Sequence, residues 1–124
     1  MKKKLLIAGG ILLALFAILV IAITNGLSAS MAVAIDGVDL SGVPDGSYTG
    51  VYEFKRWSNT LTVHVEGNAI TAIDIEDDMF AAREEWSDEL FRRVIAGQDT
   101  KVDAIAGATV SSKAYLKAIE DALR

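Results

Sequence analysis

The residues best placed to do chemistry stand near the end of the chain, where Asp103-Ala104-Ile105-Ala106-Gly107-Ala108-Thr109 is followed by Ser111 and Ser112. Gly107 and its alanine neighbours permit close backbone approach, and the amphipathic stretch behind them offers the free N–H groups and positive dipole end of a helix N-terminus. A phosphate fits such a place. Thr109, Ser111 and Ser112 add hydroxyl donors, and a threonine oxygen there is also a candidate attachment point for a phosphoryl group. On spacing alone the same pattern describes an ordinary helix start, with Ser111 or Ser112 as the cap.

Other chemistry is sparsely represented. The chain has no cysteine and one histidine, His64, which excludes a disulfide scaffold, an iron–sulfur cluster, a thiolate metal site and a histidine-rich zinc site. Redox chemistry therefore has to come from a bound organic cofactor. His64 falls on the polar side of an alternating segment and reads as a solvated histidine rather than a general base. Asp77-Asp78 and Glu84-Glu85 lack the ordered ligand spacing of a calcium loop and read as solvated acidic surface. Tyr48, Tyr52 and Trp57 read as core aromatics. Met79 and Phe80 either touch a ligand or pin a loop to the core, and the sequence leaves both open.

The elements that must position the Asp103–Ser112 stretch follow from hydrophobic period. Asp45-Gly46 supplies a turn, and the Tyr, Val and Phe content up to Trp57 favours a strand. Leu61, Val63 and Val65 alternate with Thr60, Thr62 and His64, reach Gly67-Asn68, and resume with Ile70, Ile73 and Ile75, which predicts an antiparallel hairpin. Ser87-Asp88-Glu89 offers an N-cap and first-turn acids for a helix carrying Leu90, Phe91, Val94 and Ile95. Arg92 and Arg93 suit its C-terminal end, and Gly97 its stop. A last helix buries Tyr115, Leu116, Ile119, Ala122 and Leu123. Strands followed by two helices predict an α+β domain, a small antiparallel sheet packed with two C-terminal helices.

Ahead of this domain, Leu5 to Ile23 runs without a charge and as a helix would span roughly 28 Å, close to the hydrocarbon thickness of a bilayer. A cleaved signal ending at Ala32-Val33-Ala34 is the rival reading, but its apolar core is usually shorter, about 7–15 residues, so the segment is expected to be one transmembrane anchor. Lys2, Lys3 and Lys4 precede it and no basic residue follows until Lys55, so positive-inside bias puts residues 1–4 in the cytoplasm and the domain on the extracytoplasmic side of the cell membrane. Residues 24–44, rich in small residues and turn formers, read as a tether, leaving 45–124 as the domain. Of the 12 basic residues three are Lys2 to Lys4, so nine remain against 17 acidic ones, a formal charge of −8 outside the anchor. Nucleic acid is not an expected partner.

The stretch from about Asp45 to Leu123 resembles the FMN-binding domain family of sodium-translocating NADH:quinone reductase and Rnf-type subunits. Two motifs carry the likeness: Asp45-Gly46-Ser47-Tyr48-Thr49-Gly50, and Asp103 through Thr109 followed by Ser111-Ser112. Gly67-Asn68, Gly97-Gln98 and Val102-Asp103 fall between them in the family's order. The resemblance implies FMN as cofactor, esterified through its phosphate to Thr109 by a flavin transferase that recognises Asp103 and the Ala-Thr end. Gly107, Ala108, Ser111 and Ser112 complete the implied cofactor-binding set. Ala106 stands where the family usually has serine or threonine. The implied role is electron transfer between redox donor and acceptor proteins or a quinone, in a carrier rather than a stand-alone enzyme. A non-covalent binder of FMN or another phosphorylated ligand, and a small flavin reductase, are the alternatives.

Overall fold

A computed structural model describes residues 1–124. Helix α1 (Lys2–Thr24) contains the whole uncharged run, is long and apolar enough to cross a membrane, and buries none of its residues against the rest of the chain. A short helix α2 (Leu27–Met31) follows. Strands β1 (Gly46–Tyr52), β2 (Asn59–Glu66) and β3 (Ala69–Asp77) form one antiparallel meander in that order, with a 3-10 turn at Lys55–Trp57 between β1 and β2. Helices α3 (Glu84–Gly97) and α4 (Thr109–Ala122) complete the α+β domain.

The period-two pattern of β2 does what the alternation predicts: Leu61, Val63 and Val65 are buried while Thr60, Thr62 and His64 keep partial exposure. Gly67 and Asn68 both take positive φ, 61° and 60°, the conformation that a two-residue hairpin needs to follow strand twist. The buried row meets α4 through Tyr115, Leu116 and Ile119, and α3 adds Leu90, Phe91 and Val94 to one continuous core. Phe91 and Tyr115 pack edge to face, centroids 5.6 Å apart.

Both helix starts differ from the capping pattern. Helix α3 begins at Glu84, a turn before Ser87; Ser87 is buried and donates its hydroxyl to the Glu84 carbonyl. Its end also shifts. Gly97 is the last helical residue, and Gln98 takes the left-handed conformation, φ 53°. The Gln98 side chain offsets that cost by accepting from Ile70 N and donating to the Ile70 and Ile95 carbonyls, clasping α3 to β3. Arg92 and Arg93 lie within the helix and pair with Glu89.

Residues 25–44 are not a free spacer. Leu40 is part of the core, Ser30 is buried, and Leu27, Ile35, Val38 and Val43 pack against it. Buried Glu120 accepts from Asp36 N and Gly37 N, both at 3.0 Å, and Asp99 accepts from Val38 N. Backbone amides so held give the segment one path across the domain.

Candidate functional site

Helix α4 starts at Thr109 and has no side-chain cap. Its first intrahelical bond is Ser112 N to Ala108 O, at 2.9 Å, so the N–H groups of Thr109, Val110 and Ser111 have no acceptor inside the helix. Ser112 does not cap because it is buried and its Oγ accepts from Ile105 N at 3.1 Å. Ala108 N donates to Ile105 O, closing the turn that Gly107 completes at φ +80°, with open space where a Cβ would lie. The uncapped helix end, with Thr109 exposed on it, is therefore built by the residues before it.

A cleft of about 570 Å³ opens at this end, within the roughly 300–1,000 Å³ of small-molecule sites. Gly107, Ala108, Thr109, Val110 and Ser111 form one side. Two arginine–tryptophan pairs also line the cleft: Arg56 over Trp57, 4.4 Å to the ring centroid, and Arg83 over Trp86, 5.1 Å. Phe80, 72% exposed, adds an aromatic edge, whereas Met79 is buried. The two residues that the sequence left open thus divide: Met79 pins the loop and Phe80 lines the cleft. Leu27 and Met31 of α2 supply an apolar wall.

Four of the six residues in the sequence-derived set, Gly107, Ala108, Thr109 and Ser111, meet in this cleft. Asp103 is exposed on the preceding loop and does not line it; its carbonyl accepts from Arg93 Nη1 at 3.0 Å. Ser112 faces the loop interior instead. The Asp45–Gly50 motif also lies elsewhere. Asp45 accepts from Gly67 N and so fastens the hairpin turn to the start of β1. His64 sits on the outer face of the sheet between Ser47, at 2.8 Å from Nδ1, and Asp74, at 2.7 Å from Nε2.

The sequence pattern does not single out Arg56, Arg83 and Trp86, which line the cleft. Their signal is the repeated placing of an arginine one or three residues before a tryptophan, which only a fold that brings the two pairs together converts into a site. Behind the cleft, Tyr115 donates to Asp78 at 2.6 Å, and burial followed by that carboxylate pushes its phenol pKa well up. It stays a neutral donor and fixes the Asp78–Met79 loop.

Chemically, the arrangement offers N–H donors, a hydroxyl and two guanidinium groups for a phosphorylated ligand, with aromatic and apolar surface for a planar ring. No curated protein matches the chain. Residues 57–124, more than half of it, match the family described as FMN-binding domain. The uncapped α4 turn fits the FMN phosphate, and Trp86, Phe80 and α2 fit a large flat ring system, while Trp57 is buried in the core beneath Arg56. FMN is thus the cofactor, and the chain belongs to the FMN-binding domain family.

Proposed function

We propose that the chain carries FMN covalently on Thr109 and serves as a membrane-anchored electron carrier on the extracytoplasmic side. The observation that carries this reading is the position of Thr109: an exposed hydroxyl at an uncapped helix end, inside a cleft with two arginines, in a chain of this family. When bound, FMN supplies one- and two-electron redox chemistry. The protein's part is to bind, orient and shield it. The amides of Thr109, Val110 and Ser111 hold phosphate oxygens, and Arg56 and Arg83 balance their charge.

Attachment requires a flavin transferase and a donor whose flavin phosphate is activated. As the Thr109 Oγ1–P bond forms, the bond from phosphorus to the donor's leaving group breaks, and the hydroxyl proton passes to a base on the transferase. The modified chain then exceeds the unmodified one by FMN less one water. Asp103, exposed on the loop ahead of the acceptor, is open to recognition by such an enzyme.

Sidedness rests on Lys2 to Lys4 before the apolar run. Retention of the anchor, rather than cleavage after Ala34, is favoured by the contribution of Leu27 and Met31 to the cleft. Redox partners are donor and acceptor proteins or a membrane quinone. The test of covalency is simple: the full chain, co-expressed with a transferase and unfolded in guanidinium, keeps its yellow colour through gel filtration. Colour that elutes with small molecules would instead establish the non-covalent binder.

A further inference from the structure

The match to the family begins at residue 57, yet one wall of the cleft comes from residues 27–31, at the exit of the apolar helix. Three attachments fix that wall. Arg56 Nε donates to the carbonyl of Ile23, near the end of α1, at 2.9 Å, while the same guanidinium lies over Trp57 in the cleft. Lys113 Nζ donates to the Met31 carbonyl at 2.6 Å, tying the last residue of α2 to the second turn of α4. Between them Gly26 takes φ +83°, where an added Cβ would come within 2.8 Å of the Phe54 ring. Only glycine combines that backbone conformation with so close an approach. Leu27 is half-buried against the core, and Met31 stays 52% exposed at the lip. A flexible thioether in that position suits contact with an aromatic ring.

We infer that α2 is part of the flavin site: Leu27 and Met31 cover the bound ring from the flank where α2 packs beside α4, so the anchor's exit segment and the cofactor cleft form one unit. This rests on FMN occupying the cleft, as read above. It assigns binding residues outside the stretch that the family match covers. It also gives Lys113 and Arg56 a positioning role, holding the wall at its two ends.

The experiment uses the full chain, loaded with flavin, in nanodiscs of zwitterionic lipid, with iodide as an aqueous quencher of flavin fluorescence. Intact mass and absorbance establish loading first. A ring covered by α2 becomes more accessible when the wall is cut back, so Leu27→Ala/Met31→Ala raises the iodide quenching constant by about twofold or more, since such sites bury most of the ligand surface. Lys113→Met, which leaves α2 intact and frees its end, raises it in the same direction; this variant decides the matter if the double variant does not fold. Equal quenching in the parent and in the folded variants, all carrying flavin, overturns the inference alone. A parent that carries no flavin overturns the proposed function and the inference with it.

Discussion

Gly50 shows how strictly one residue can set the fold. A Cβ built there would lie 1.9 Å from the Ala118 carbonyl oxygen and 2.8 Å from Ala122 Cβ, so α4 crosses β1 at a distance that only glycine permits. Neither obstacle is the end of a flexible side chain. Gly50→Ala is expected to cost about 3 kcal/mol, at the upper end of overpacking, read as a lowered urea midpoint. An unchanged midpoint would mean that α4 can stand off from β1. The first motif was legible in the sequence as a signature, but its physical use was not: Asp45 fastens the hairpin and Gly50 admits the helix. Both depend on partners far along the chain. Ser87, Ser111 and Ser112 do not cap for a related reason, since a hydroxyl caps only if nothing else claims it and it stands ahead of the helix. Ser87 bonds the Glu84 carbonyl, Ser112 bonds Ile105 N, and Ser111 lies within the helix rather than ahead of it.

Among the elements, the hairpin and the two amphipathic helices were readable because their periods are local. Residues 25–44 were not. Their small side chains and turn formers suggest a spacer, whereas their amides are held by Glu120 and Asp99, which sequence distance hides. Asp99 gives this docking a pH dependence. Burial alone would raise its carboxyl pKa, but backbone N–H groups of Val38, Lys101 and Thr100, with the Lys101 charge, hold it below the ordinary 3.8. A folded value below the unfolded one means that the stabilisation is fully present above pH 3.8 and is lost as pH falls through the lowered value. Hydrogen exchange is expected to show Val38 N–H protection dropping over that acidic window, and Asp99→Asn is expected to flatten the drop. Val38 protection equally pH-sensitive in Asp99→Asn would place the titrating group elsewhere. Lys117 acts with the opposite sign. Burial pulls its pKa down, but Glu120 and Asp36 outweigh it and hold the ammonium above 10.5. Its stabilisation is present below 10.5 and is lost as pH rises through the raised value.

For the whole molecule, an apolar helix leads into a docked exit segment that shares one cleft with the uncapped end of α4. The sequence displayed the first and last of these, through an uncharged run and a motif, because each is contiguous. It hid the cleft that unites them, whose arginines, tryptophans and α2 wall come from separated stretches brought together by the β1–β2 turn, the loop before α3 and the fold of α4 onto the sheet. The central claim is that Thr109 supplies the oxygen linking FMN to this cleft. Its most direct test is the intact mass of the full chain and of Thr109→Ala, each co-expressed with an active flavin transferase, with peptide mapping to place the increment. The account predicts a parent heavier by one FMN less one water, with the added mass on the peptide containing Thr109, and a folded Thr109→Ala variant without it. An unmodified parent, or an increment that persists in Thr109→Ala, would contradict the account.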